Sequence, residues 1–341
     1  MLHFECDYME GAHPNILARL TEINFEKNTG YGKDAICERA KDRIRAACAC
    51  PGADVHFLVG GTQINSATLT ALLRPWQGVI AAQSGHIATH EAGAVEMLGH
   101  KVLTLPGHDG KLLASEVEAF VQGFFADENH PHAMEPGVVY ISHPTEYGTL
   151  YTAEELAALS AVCHAYGMKL YVDGARLGYG LAAQGTDVSL PLLARLCDAF
   201  YIGGTKVGAM FGEALVVPDP ATLPHFFTVT KQHGALLAKG WLLGVQFDVL
   251  FENDLYFALG RHADGLADRM REMFIEKGYT LHTPNPTNQV FVVLKDEKMK
   301  ELATKVGFDF WEKPDNDHTV VRFATSWATR AEDVQTLYAL L

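Results

Sequence analysis

From residue 55 onward the chain alternates short apolar runs with amphipathic stretches, and this rhythm restricts the fold more than any other feature. Strand-like runs at 55–59, 79–82, 102–105 and 138–142 are separated by helical stretches, among them 87–98 and 116–125. Such alternation predicts an α/β fold, a mostly parallel sheet with helices on both faces. Capping boxes pair Ser115 with Glu118 and Thr152 with Glu155 at two helix starts, and Gly167 stops the second helix. Two further apolar runs, 170–172 and 199–202, end abruptly at polar or glycine residues, as buried strands do at a sheet edge. Asp173, Arg176 and Lys206 stand at those exits. Open α/β sheets bind ligands at the carboxyl ends of their strands, so the stretch 169–215 is the predicted active site.

Flanking segments complete the organisation. His13-Pro14 opens a helix whose apolar positions Ile16, Leu17, Leu20 and Ile23 recur at helical spacing, and Ile36, Ala40, Ile44 and Ala47 form the stripe of a second. A strand at 214–217 is followed by Pro218-Asp219-Pro220, which breaks the pattern. Residues 234–259 contain few breakers and predict a long buried helical region. Strands at 290–294 and 319–323, with helices at 298–306 and 331–340, predict a small α+β domain. At 341 residues the chain exceeds the roughly 250–300 at which one core stops growing. The expected division is an N-terminal arm (1–27), a large domain (28–245) and a small C-terminal domain (246–341).

A formal charge of −14 argues against a nucleic-acid or anionic-membrane partner, since both require clustered Lys and Arg. An anionic small molecule must then be met by local positive charge. No apolar stretch approaches the ~20 residues of a membrane span. The six cysteines are scattered and the opening Met-Leu-His-Phe-Glu-Cys-Asp has no basic or apolar leader pattern, so a reduced, cytoplasmic protein is expected. Cys48-Ala-Cys50 reads as buried thiols on a helix. His86 and His90 have metal-ligand spacing but lack a third ligand, so no metal is expected.

Several residues carry chemistry. The turn Gly60-Gly61-Thr62-Gln63-Ile64-Asn65 presents backbone N–H groups and a hydroxyl at a helix start, which suits a phosphate. It has neither the Walker pattern nor dinucleotide-fold glycine spacing, and an ordinary tight turn is the competing reading. Lys206 is the only charged residue between Asp198 and Glu213; an isolated lysine in apolar, glycine-rich surroundings has a depressed pKa and can form a Schiff base. Asp173, after Leu-Tyr-Val, is expected to be buried and to need a cation, for which Arg176 is the nearby candidate. His86 follows a strand, where its flat ring can stack on a planar ligand.

Together these parts resemble pyridoxal-phosphate enzymes of the aspartate aminotransferase fold, and more narrowly the threonine aldolase family within the β-eliminating lyases. The resemblance runs from about Tyr31 to Arg322 and rests chiefly on Val172-Asp173-Gly174-Ala175-Arg176 and Thr205-Lys206. It implies that Lys206 holds pyridoxal 5'-phosphate as a Schiff base and that Asp173 salt-bridges the pyridine nitrogen. Gly61, Thr62 and Asn65, assisted by Thr205, would hold the phosphate, and His86 would stack on the ring. Arg176, close to the cofactor, would grip the substrate carboxylate with Arg322. Tyr31 would reach a neighbouring subunit's site, implying a homodimer or homotetramer. The implied reaction is cleavage of L-threonine, L-allo-threonine or a related β-hydroxy-α-amino acid to glycine and an aldehyde, with His86 or His90, or a water held by them, as candidate base.

The chain departs from the family in three places. Cys6 replaces a serine that helps bind the substrate carboxylate. In Ser142-His143-Pro144-Thr145-Glu146, Thr145 takes the place of a histidine, leaving His143 as a relocated candidate base. An arginine that binds phosphate is missing, with Lys231 and Lys239 the nearest cations. The alternatives are β-elimination or transamination by the same cofactor, or a non-catalytic amino-acid or cofactor binding protein.

Overall fold

Alternate residues of the central strands face opposite sides of one sheet, and both sides are buried. The computed structural model describes residues 1–341. A short strand, β1 (Leu2–His3), precedes helices α1 (Pro14–Glu22) and α2 (Ala35–Ala47). The alternating region contains β2 (Asp54–Leu58), α3 (Gly61–Leu72), β3 (Gln77–Ala82), α4 (His86–Thr89), α5 (Ala94–Met97) and β4 (Val102–Leu105). It continues through α6 (Ala114–Ala126), β5 (Glu135–Ser142), α7 (Ala153–Ala165), β6 (Lys169–Asp173), α8 (Leu177–Ala182) and α9 (Leu190–Leu196). Then come β7 (Ala199–Gly203), β8 (Glu213–Val217), α10 (Phe226–Gln232), α11 (Trp241–Leu250) and α12 (Leu255–Glu276). The remainder is β9 (Thr280–Leu281), β10 (Gln289–Lys295), α13 (Asp296–Ala303), β11 (Val306–Gly307), β12 (Asp309–Glu312), β13 (His318–Ala324) and α14 (Ala331–Leu340).

The seven-stranded sheet has the order β2-β8-β7-β6-β5-β3-β4. Strands β4, β3, β5, β6 and β7 are parallel, whereas β8 runs antiparallel to both β7 and β2. The predicted mostly parallel sheet is therefore present, with an antiparallel edge. Leu170, Val172, Phe200 and Ile202 point into a 40-residue apolar cluster, while Tyr171, Ala199 and Tyr201 point into a second cluster of 19 on the other face. Each fully buried Val, Leu or Ile contributes about 1.5–3 kcal/mol, so the two-sided burial fixes the register strongly. The small sheet, β12-β13-β10-β9, is antiparallel and covers a third cluster, to which Phe4 belongs. Strand β1 pairs with β11, so the first residues of the chain lie with the C-terminal region.

Three local expectations are corrected. The helix read over 87–98 is two short helices, because Ala92 and Gly93 adopt left-handed backbone at φ 52° and 72°. Ser115 caps nothing: Leu113 is the N-cap of α6 and Ser115 lies within its first turn, whereas the Thr152–Glu155 box is formed. The helical region after Gly234 breaks at Asn253 and Asp254, both left-handed, and resumes as the 22-residue α12. No helix is long and apolar enough to cross a membrane.

Candidate active site

A cavity of about 320 Å³ opens where β5, β6 and β7 end, beside β3, at which the strand order reverses. Its wall includes Gly60, Gly61, Thr62, His86, Asp173, Arg176, Thr205 and Lys206. Close approach of the strand ends there demands small residues: a Cβ on Gly174 would collide with the Tyr201 carbonyl, and one on Gly203 with that of Ala175. A second cavity of about 420 Å³ shares Tyr8, His86, Glu146, Arg176 and Lys206 with the first and extends to His90, Trp311 and Arg322. The structure thus brings Gly61, Thr62, His86, His90, Asp173, Arg176, Thr205, Lys206 and Arg322 to one place.

Asp173 is buried at the end of β6 and is surrounded by donors. Tyr140 and Asn65 donate to Oδ2 at 2.6 and 3.0 Å, while Tyr201 and the Ala175 N–H donate to Oδ1. Burial pushes the carboxyl pKa up, but His86 and the side-chain donors outweigh it and hold Asp173 below its ordinary value. No protein cation pairs with it. The expected Asp173–Arg176 pair does not exist, because Arg176 makes a bidentate ion pair with buried Asp7 at 2.7 and 3.0 Å. Asn288 donates to Asp7 as well, at 2.9 Å.

Asn65 is displaced from its predicted task. The N-terminal turn of α3 points Gly61 and Thr62 at the cavity, but Asn65 is one turn later and faces inward. Its amide donates to Asp173 and, at 2.8 Å, to Glu91, and its carbonyl accepts from Tyr171. Glu91 also binds His86 Nδ1 at 2.8 Å, so an unbroken chain of hydrogen bonds runs from Asp173 to the His86 ring. Thr205 lines the cavity, yet its hydroxyl donates to Glu213 at 2.7 Å and accepts from the Gly212 N–H, which leaves no second proton for a phosphate.

Lys206 is half-buried and makes no ion pair; its ammonium lies 5.9 Å from the centre of the Tyr8 ring. Burial first and Arg176 second lower its pKa, against the opposing pull of Asp7, Asp173 and Glu213. Glu213 itself is pushed by burial to about 7. Arg322 binds Gln289 at 3.1 Å and Asp309 at 2.8 Å, while its buried Nε has no partner.

Other predicted residues lie elsewhere. Cys6 lines neither cavity: Arg176 and Asn288 draw Asp7 inward, and Tyr8 rather than Cys6 reaches the wall. His143 is sealed, 0% exposed with both ring nitrogens unpartnered, and burial lowers its pKa to about 4, which removes it as a relocated base. Thr145 reaches the first cavity, but its hydroxyl is shared with Thr149 and the Asp109 carbonyl. Tyr31 is 42% exposed on the surface, away from both cavities.

Sequence reasoning missed Asp7, Tyr8, Glu91, Glu146 and Glu213, and the tyrosines around Asp173. A signal existed for the tyrosines. Tyr140, Tyr171 and Tyr201 each occupy an interior position in a run read as plain core, and Tyr140 pairs in register with Tyr171. Three hydroxyls on neighbouring strands of one face must find buried partners, and Asp173 with Asn65 supplies them.

The residues present suit pyridoxal phosphate. Buried Asp173 is an anion awaiting a cation, Lys206 is an unpaired, half-buried amine in the cavity wall, and α3 begins without a side-chain cap, leaving first-turn N–H groups directed at the cavity.

Comparison with known proteins agrees. A low specificity L-threonine aldolase of Pseudomonas aeruginosa is 30% identical over 337 residues, covering 98% of this chain and 95% of that protein. One from Saccharomyces cerevisiae is 27% identical, covering 86% of this chain and 75% of that protein. The structure of Leishmania major threonine aldolase superposes with a TM-score of 0.96 at 41% identity, covering 100% of this chain and 98% of that one. A Thermus thermophilus aspartate aminotransferase variant shares the fold, with a TM-score of 0.72 at 15% identity, covering 100% of this chain and 92% of that one. Residues 4–297 match the family described as Beta-eliminating lyase, and the chain belongs to that family.

Proposed function

We propose that the protein cleaves L-threonine, L-allo-threonine or a related β-hydroxy-α-amino acid to glycine and an aldehyde, using pyridoxal 5'-phosphate. The observation that carries this reading is the convergence of Lys206, Asp173 and the uncapped start of α3 on one cavity, adjoining a second that holds Arg322. Lys206 would hold the cofactor covalently, Asp173 its ring nitrogen, and Gly61 and Thr62 its phosphate. His86, its ring oriented through Nδ1 by Glu91, would lie against the ring. Bound pyridoxal phosphate supplies an electron sink for the pair left at the α carbon when the Cα–Cβ bond breaks.

The chain's own residues do the remaining work. Asp173, held anionic by four donors, favours a protonated ring nitrogen. Lys206, with its pKa lowered, is the amine able to return a proton to the α carbon. Arg176, fixed by Asp7, and Arg322, with a free buried Nε, would hold the substrate carboxylate.

An active homo-oligomer is part of the proposal. It is supported by Tyr31, exposed beside Phe227 and Lys231, and by the absence of any lysine or arginine except Lys206 and Arg176 along the first cavity. Six unpaired cysteines support a reducing, cytoplasmic setting. The test is incubation of the cofactor-loaded protein with L-threonine and L-allo-threonine. Glycine and acetaldehyde in equal amounts are expected. Ammonia with a keto acid and no glycine would overturn the reading.

A further inference from the structure

Retro-aldol cleavage needs a group to take the β-hydroxyl proton, and the two joined cavities offer few. His143 is sealed away from them. His90 lines only the outer cavity, stacked on His86 with ring centres 5.7 Å apart, and its Nδ1 is bound to the Thr89 hydroxyl at 2.6 Å. His86 has Nδ1 committed to Glu91, and a ring stacked on a bound cofactor would present its face rather than its edge. Glu146 is the carboxylate common to both cavities, a position it shares with His86, Tyr8, Arg176 and Lys206, so it borders the side that holds Asp173 and the side that holds Arg322.

Its orientation is also built. The Ser142 hydroxyl donates to Oε1 at 2.7 Å and the His86 N–H donates to the same oxygen at 2.9 Å. Both of these hydrogen bonds fall on Oε1. One oxygen is anchored and the other is left to the cavity, the arrangement expected of a positioned proton carrier rather than of a structural ion pair.

We infer that Glu146 accepts the β-hydroxyl proton through Oε2, and returns it in the reverse, aldol direction. The inference rests on the aldolase reading. The O–H bond breaks with its proton passing to the carboxylate, and the oxygen lone pair forms the aldehyde C=O. The Cα–Cβ pair would stay with the α carbon, for which bound cofactor would supply the electron sink, and a proton delivered there would give glycine. Burial raises the Glu146 pKa, with Asp173 adding to the rise, while the Ser142 hydroxyl, the Glu146 N–H and His86 oppose it. Lys206, Arg176, Arg322, Asp309 and Glu312 are the other charged groups lining the outer cavity around it. A carboxylate basic beyond the ordinary range is a better proton acceptor near neutral pH.

The test is Glu146→Gln in the holoenzyme, because glutamine keeps an acceptor for Ser142 and the His86 N–H. Aldehyde release from L-threonine and L-allo-threonine should fall ~10²- to 10⁴-fold. Exchange of the glycine α hydrogen in D₂O, which involves no β-hydroxyl, should stay within about threefold of wild type. Glu146→Asp should retain more cleavage than Glu146→Gln. In the cofactor-free protein, the difference between the infrared titrations of wild type and Glu146→Gln should show a protonated carboxyl persisting above the ordinary carboxylate range, over the bands that Glu213 and Asp264 give in both. Equal cleavage by wild type and Glu146→Gln overturns the role of Glu146 alone, as does a parallel fall in cleavage and exchange. A wild type that releases no aldehyde overturns the aldolase reading and this inference together.

Discussion

Replacing Asp7 by asparagine separates what the buried ion pair does for stability from what it does for the substrate. Asp7 is 0% exposed, and its carboxylate is shared by Arg176, the N-cap of α8, and Asn288 beside the small sheet. Burial pushes its pKa up, but Arg176, Lys206 and the hydrogen bonds pull it down to about 2 from 3.8. That difference corresponds to about 2 kcal/mol of stability. Because the folded pKa lies below the unfolded one, the contribution is complete above the unfolded value and disappears as pH falls through about 2. Asp7→Asn should therefore lose about 2–4 kcal/mol at pH 7, the upper part reflecting the stranded Arg176 charge. The gap to wild type should narrow to about half at pH 3. Urea unfolding at both pH values measures it. In the same variant Arg176 loses its anchor, so KM for the amino acid should rise about tenfold while kcat changes less. A variant within 0.5 kcal/mol of wild type with unchanged KM, or a gap that does not shrink in acid, would refute the reasoning.

Three further outcomes follow from named contacts. Tyr201→Phe removes one donor from Asp173 and should weaken cofactor binding about tenfold, the scale of one buried hydrogen bond to a charge, as read by cofactor titration. Asp264 has both carboxyl oxygens buried without partners and a pKa pushed by burial to about 9, so the unfolded chain releases a proton at neutral pH that the folded chain retains. Stability then falls as pH rises from about 4 to 9, and Asp264→Asn should gain up to about 4 kcal/mol at pH 7 and less at pH 5 by thermal unfolding. Thr152→Ala deletes the only capping box formed at a predicted position and should cost about 1 kcal/mol in the same assay.

Periodicity carried most of the fold because two-sided burial leaves little freedom: apolar runs such as 138–142 and 199–202 can satisfy both faces only in the middle of a sheet. It failed where backbone conformation intervened. Nothing in the pattern of 87–98 shows that Ala92 and Gly93 turn left-handed, since the apolar spacing continues across them. In the site, Lys206, His86 and the glycine turn were readable because they punctuate strand ends. The partners of Arg176 and Asp173 were not, since Asp7 is 169 residues from Arg176 and Asn65 is 108 from Asp173. Local proximity made Arg176 the natural partner for Asp173, but a residue three positions beyond a strand end has already turned toward the N-terminal segment.

Two carboxyls at one cavity show why residue type alone could not assign the chemistry. Asp173 is buried and Glu146 half-buried, and desolvation raises the pKa of each. Four hydrogen bonds spread over both oxygens of Asp173 outweigh that cost and keep it an anion, suited to standing opposite a positive ring nitrogen. Glu146 takes its Ser142 and His86 hydrogen bonds on Oε1 alone, so desolvation prevails and raises its pKa. The division of labour follows from the neighbours. Tyr140, Tyr201 and Asn65 surround the first carboxyl, while the open cavity faces the second. Transferring a donor to Glu146 Oε2 should therefore abolish its basicity without touching Asp173. A lysine or arginine at Thr89, which lines the same outer cavity as Glu146, tests this by lowering the Glu146 titration in the infrared while cofactor binding persists.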